Sequence, residues 1–379
     1  MPLHTAKAIF LRLAVVLLLP LHACEGDDLS PVAPALLAPT AKVPPFDLAP
    51  GGPADVCLDG TCPFSKLRPA FAATKPGATL RIAPGLYNDC LDMADKPIAL
   101  LGLKGPDGSR PVFTRACSGK AAFVTRAPQV VLQGLTITGI RVADRNGACV
   151  RLDPTDAPKQ VALIDIVCID SENGVLGSVG PQEGGGSLLI RRSQFLRNGG
   201  NNGYAHGLYI VSGGEVVLDD TVIASTKGRG HSLKVGAQRL FLQHSVIAGL
   251  DGQSSRAIDF FGGGLLVIRG SVVQMGPKAD NDDMIALGKE RWRRNVEAMQ
   301  GTYLEGSTFL YDDPRRGRRL VLVGQKRGPV IWRNLRLVGL TGSTIEADEE
   351  INVSRYASRS AAGLPPYDGT LASLPATQH

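Results

Sequence analysis

His206-Gly207-Leu208-Tyr209-Ile210, His231-Ser232-Leu233-Lys234-Val235 and Arg256-Ala257-Ile258-Asp259-Phe260 repeat one short pattern, starting at 206, 231 and 256, a constant step of 25. Each copy is apolar at its third and fifth places and polar at its fourth, the alternation of a strand with one buried face. The pattern predicts that Leu208, Leu233 and Ile258 stack behind one another inside the molecule. Tyr209, Lys234 and Asp259 then form a parallel row on the outer surface, three different chemistries on one strip.

A second column recurs along the chain: Leu135-Thr136-Ile137, Ile166-Val167-Cys168, Ser193-Gln194-Phe195, Thr221-Val222-Ile223, Ser245-Val246-Ile247, Ser271-Val272-Val273, Ser307-Thr308-Phe309 and Leu335-Arg336-Leu337, at steps of 31, 27, 28, 24, 26, 36 and 28. A loose period with large steps marks insertions in loops that leave the strands in place. Strand character begins earlier, at Leu80-Arg81-Ile82 and Ile98-Ala99-Leu100. A short amphipathic segment, residues 64–73, precedes it and is expected to cap the open end, where unpaired strand groups and apolar core would otherwise meet water. Forty-five glycines, 5% aromatic and 20% charged residues suit many short strands joined by turns. A chain of 379 residues can then be one elongated unit, because each coil touches only its neighbours.

Two strand columns joined by glycine-rich turns over residues 80–340 resemble the right-handed parallel β-helix of the pectin-lyase-like superfamily. The resemblance implies an all-β solenoid with a short N-terminal helical cap, and a surface that handles polysaccharides. A β-sandwich would give hairpins without column identity, and a β-propeller has a longer blade repeat. Leucine-rich repeats would need their leucine and asparagine signature.

The first 23 residues read as an export signal: Lys7 and Arg12 precede an apolar run at 13–21, too short to span a bilayer as a mature helix. Leu21-His22-Ala23-Cys24 resembles a lipoprotein box with Cys24 as the lipidated residue; simple secretion is the alternative. Residues 24–55, with prolines at 31, 34, 39, 44, 45, 50 and 53, read as an extended, poorly packed tether. The β-helix domain is expected over 56–345 and an irregular tail over 346–379, with a solvated basic loop at Lys289-Glu290-Arg291-Trp292-Arg293-Arg294. Loss of the leader removes two positive charges, so the net charge of +6 becomes +4. This mild excess admits an acidic ligand without the clustered basic stripe of a nucleic-acid binder.

Cysteines at 57, 62, 90, 117, 149 and 168 form an even set in an exported chain and predict disulfides. Cys57 with Cys62 could close a small loop and Cys90 with Cys117 could clip the first coils, among the 15 pairings that six cysteines allow, while Cys168 suits a disulfide or a buried thiol equally. No cysteine and histidine set has zinc spacing. Asp280-Asn281-Asp282-Asp283 offers oxygen ligands for calcium, or is a solvated acidic turn; no other cofactor is indicated.

For chemistry, the richest cluster is Asn201-Asn202-Gly203-Tyr204-Ala205-His206, then Lys227-Gly228-Arg229-Gly230-His231 and Ser254-Ser255-Arg256 on successive coils. Attack on a uronate requires a cation for its carboxylate, a base for the C5 proton and a second proton-transfer group. Arg256 or Lys234 suits the first task, His206 or His231 the second, and Tyr204 or Tyr209 the third. Tyr209, Lys234, Asp259, Lys227 and Arg229 are candidate substrate contacts. The blander alternative is that His206, His231 and Arg256, which share parity with inward residues, are turn residues that satisfy backbone carbonyls between coils. Arg151-Leu152-Asp153-Pro154-Thr155-Asp156 resembles the Asp-Pro-His-Asp motif of mannuronan epimerases, with threonine where their catalytic histidine stands. Gly230-His231-Ser232 resembles part of the polygalacturonase pattern, but the paired aspartates such hydrolases use are missing from the matching strand. The expectation is therefore an exported, monomeric protein acting on an acidic polysaccharide as a uronate lyase or C5-epimerase. A glycan-binding module, or an envelope scaffold using its faces for protein contacts, is the alternative.

Overall fold

The structure, a computed structural model, describes residues 34–181, 184–262, 264–288, 300–312, 318–323, 328–340 and 347–378. The leader, Cys24 and the basic run at 289–294 lie outside them.

Strands pass in strict rotation through three parallel sheets, forming a right-handed β-helix. Among the described residues sheets A and B have eleven strands each and sheet C has nine. The quoted pattern forms the middle of sheet C, in the predicted register: Leu208 pairs with Leu233 and Leu233 with Ile258, while Tyr209 pairs with Lys234 and Lys234 with Asp259. The second column is sheet B, where Ile137, Cys168, Phe195, Ile223, Ile247, Val273, Phe309 and Leu337 follow one another in register. All of these inward residues lie in one continuous core.

Sheet A is the column that the two-column reading lacks. Its strands, such as Glu215–Asp219, Arg239–Gln243 and Leu265–Arg269, are apolar on both faces. Their inward residues join the core. Their outward residues Ala99, Val131, Ala162, Leu189, Val217, Phe241, Val267, Tyr303 and Ile331 form a second apolar cluster. Strands buried on both sides read as continuous apolar runs and lose the alternation that marks a column.

The turn from sheet A to sheet B explains why serine opens so many sheet B segments. Asp165, Arg192, Asp220, His244, Gly270, Gly306 and Asn334 each sit in the left-handed region, with φ between 47° and 56°. The hydroxyl that follows caps the neighbouring coil. Ser245 Oγ accepts the N–H of Thr221 (3.0 Å), Ser271 Oγ that of Ser245 (3.1 Å) and Ser307 Oγ that of Ser271 (3.1 Å).

Helix Leu67–Ala73 closes the N-terminal end, burying Leu67 and Ala70, and Val56 bridges to Ile82 and Phe64. The reading of residues 24–55 as a poorly packed tether is corrected where the structure describes them. Leu37, Ala41, Val43, Phe46 and Leu48 lie on the outward apolar column of sheet A. Glu215 accepts from the N–H groups of Thr40 (2.8 Å) and Ala41 (2.5 Å), Arg239 donates to Leu36 O (2.9 Å), and Arg81 pairs with Asp47 (2.8 Å). Proline and alanine composition gives an extended chain, but the uncovered face of sheet A gives it a place to pack.

At the other end, Glu349–Ile351 and Ser354–Tyr356 complete a last turn of sheets A and B. The irregular chain begins after Tyr356 and folds back. Leu364 and Leu374 pack beside Leu310 and Val338, Arg359 pairs with Asp312 (2.5 Å), and the Gln378 N–H donates to Gly270 O (2.9 Å).

Among the described residues three disulfides form: Cys57–Cys62, Cys90–Cys117 and Cys149–Cys168. The last resolves the alternatives for Cys168 in favour of a bond. Three disulfides point to an extracytoplasmic protein. No helix among the described residues is long and apolar enough to cross a membrane.

Candidate functional site

Sheet A is strapped by the N-terminal segment and the later strands of sheet B by the C-terminal one. Sheet C carries the mixed row. Its outward column runs Asp92, Val124, Arg151, Leu176, Tyr209, Lys234, Asp259 and Ala286 in continuous register. Tyr209 and Lys234 are half-buried and Asp259 is buried, at 4% exposure. Lys234 Nζ lies 5.1 Å from the centre of the Tyr209 ring and 5.4 Å from that of Phe261. Two aromatic faces thus hold an ammonium by its charge.

The residues just before these strands form a polar ladder. Asn173 Oδ1 accepts the N–H of His206 (2.8 Å), His206 Nδ1 accepts that of His231 (3.0 Å), and His231 Nδ1 accepts that of Arg256 (3.2 Å). The two imidazoles stack 5.4 Å apart at an interplanar angle of 2°. Tyr209 meets His206 edge-on, with centres 5.0 Å apart. Because each Nδ1 already accepts a hydrogen bond, the neutral ring carries its proton on Nε2. In His231 that atom lies 3.3 Å from Asp259 Oδ2.

Burial, aided by the Lys234 charge, pushes the His206 pKa down to about 3. For His231, burial and then His206, Lys234 and Arg256 hold it well below the usual imidazole range. Both rings are neutral near pH 7. They offer N–H donors at Nε2 and no available base.

The remaining expected residues are placed differently. Arg256 is turned to Asn281 (2.9 Å) and Asp283 (3.4 Å). Tyr204 is 75% exposed and has no hydrogen-bond partner among the described residues. Lys227 pairs with Asp170 (3.1 Å), which also holds Arg197 (2.7 Å), and Arg229 pairs with Asp280. These last two cations therefore belong to a corner of the coil. The acidic stretch proposed for calcium is engaged by cations of the protein: Asp280 by Arg229, Asp282 by Arg318, and Asp283 by Arg256 and Arg319. Among the described residues no group of three or more histidine, cysteine or carboxylate side chains could hold a metal ion.

Sequence reasoning missed Asn173 and Phe261. Asn173 occupies, one coil earlier, the ladder position that His206 and His231 occupy later, and the 33 residues to His206 hide that equivalence. Phe261 directly follows the third quoted strand. The motif at 151–156 is also resolved: Asp153, only 5% exposed, binds Lys120 (2.7 Å), Arg126 (3.0 Å) and Arg151 (3.4 Å). Burial pushes its carboxyl up, but these cations outweigh it and the pKa is lowered.

No family model matches the chain, and no curated protein matches it. Among solved structures it is similar to an alginate lyase from Paenibacillus sp. str. FPU-7, with 16% identity and a TM-score of 0.52, covering 76% of this chain and 96% of the other. A pectin methylesterase from Aspergillus niger aligns at 12% identity with a TM-score of 0.37, over 81% of this chain and 88% of that one. At 16% identity the likeness to the alginate lyase concerns fold alone, the right-handed β-helix.

Proposed function

We propose that the protein acts on an acidic polysaccharide lying along sheet C, by proton transfer at C5 of a uronate unit, as a lyase or epimerase. The observation that carries this reading is the pairing of Tyr209 with Lys234 on adjacent coils, ammonium against ring, above a neutral histidine pair. Lys234 supplies the positive charge that a uronate carboxylate and the developing C5 carbanion require. Tyr209, as a phenolate beside the Lys234 ammonium, takes the C5 proton; the phenol so formed gives it to the leaving glycosidic oxygen in a lyase reaction, whereas an epimerase takes its new C5 proton from water on the opposite face. The His231 Nε2–H is directed at Asp259, so the histidine pair serves as a neutral support beside Tyr209. The fold supports the substrate class, since the similar alginate lyase is by name a polysaccharide enzyme.

The test is incubation of the protein with alginate, pectate and glycosaminoglycans, with and without calcium, following unsaturated uronate absorbance. Tyr209→Phe and Lys234→Ala should each lower turnover by about 100-fold or more. Retention of a polyuronate without turnover would instead assign the face to binding alone. Unchanged turnover in both variants would refute the assignment.

A further inference from the structure

At the N-terminal end of the same sheet lies a cavity of about 450 Å³ whose lining includes Arg68, Arg115, Arg126, Asp92 and the disulfide-bonded Cys90 and Cys117. Three arginines and one carboxylate line it, with Arg68 and Arg115 exposed at its rim. Asp92 is already engaged, accepting from Arg126 (2.8 Å) and from the Ser118 hydroxyl (3.0 Å). The other hand of Arg126 reaches Asp153 (3.0 Å), which Lys120 and Arg151 further neutralise. Arg68 and Arg115 have no hydrogen-bond or ion-pair partner among the described residues. Two guanidinium forks are therefore left over beside an acid that needs neither of them.

These arginines stand on a fixed frame. Arg68 is carried by the capping helix Leu67–Ala73, and Arg115 lies two residues before Cys117, which is bonded to Cys90 two residues before Asp92. Asp92 heads the outward column of sheet C, four rungs from Tyr209 and five from Lys234. At about 4.8 Å per rung that is roughly 19 and 24 Å.

We propose that this cavity binds a carboxylate of an acidic glycan, anchoring one end of a chain whose other units lie over Tyr209 and Lys234. Guanidinium forks suit a carboxylate because two parallel N–H groups match its two oxygens. The position along the groove rests on the reading of sheet C as a glycan face; the anion site itself does not require turnover. A polymer whose units repeat near the rung spacing would need on the order of five units to reach both sites.

The experiment is calorimetric titration, at low salt, of the full protein with oligogalacturonates and oligoalginates of two and of eight units, and with inorganic phosphate. The parent is compared with Arg68→Ala/Arg115→Ala and with Lys104→Ala/Lys278→Ala, which removes two positive charges elsewhere. The arginine variant should bind an eight-unit chain at least about tenfold more weakly, with the dimer little affected and the lysine control unchanged. Equal weakening in both double variants, no weakening in either, or an effect confined to phosphate would overturn the proposal. Turnover by the parent with no arginine effect overturns the anchor alone. No turnover with the tenfold effect intact supports the anchor and counts against the catalytic reading.

Discussion

His206 shows how one side chain joins fold and site. Its Nδ1 takes the N–H of His231 at 3.0 Å, and its ring lies between that of His231 and the edge of Tyr209. His206→Ala leaves the part-buried N–H of His231 unpaired, a loss of about 1 kcal/mol, readable as a lower urea midpoint. The pKa shifts fix the direction of the pH dependence. With folded values of about 3 for His206 and well below 6.5 for His231, the unfolded chain binds more protons at mildly acidic pH. Stability from these groups is complete above about pH 6.5 and is lost as pH falls toward the folded values. Melting temperature should decline from pH 7 to pH 4, and His206→Asn should flatten that decline; a parent curve with no such slope contradicts the account. The row of Tyr209, Lys234 and Asp259 was legible because alternation determines facing. Parity already set His206 and His231 with the inward residues, but their tautomer was not legible, since it depends on an N–H from the next coil.

Among elements, sheet A and the segment across it form the pair that sequence concealed. Residues apolar on both faces leave no period to count, and a proline-rich strap has no pattern announcing what it covers. Its packing is checkable. Deleting residues 1–50 exposes an apolar column running from Ala99 to Ile331 and removes two N–H donors from Glu215. The truncated protein should melt at a lower temperature and bind a hydrophobic dye more strongly than the parent. Unchanged melting would mean that the strap adds nothing. The disulfide Cys90–Cys117 closes a loop of 27 residues, so Cys90→Ser/Cys117→Ser should cost about 3–4 kcal/mol by chain entropy. Denaturant titration measures it. Cys57–Cys62, five residues apart, could be read from spacing, whereas Cys149–Cys168 joins sheets C and B across the core and follows only from the coil geometry.

For the whole molecule, the arrangement of coverings bears on function. One terminal segment covers the outer face of sheet A, the other folds back over later strands of sheet B, and sheet C retains a mixed polar and aromatic row. A glycan laid along that row would cross the coils, meeting one side chain per rung. The most direct measurement of this claim is proton exchange at C5 of alginate and pectate in deuterium oxide, followed by NMR, for the parent and Lys234→Ala. Exchange registers C5 proton removal whether the product is an epimer or a cleaved chain. The account predicts solvent deuterium or unsaturated ends with the parent on at least one polymer, and a loss of about 100-fold or more with Lys234→Ala. Equal rates in the two proteins, or no C5 chemistry with the parent on either polymer, would contradict it.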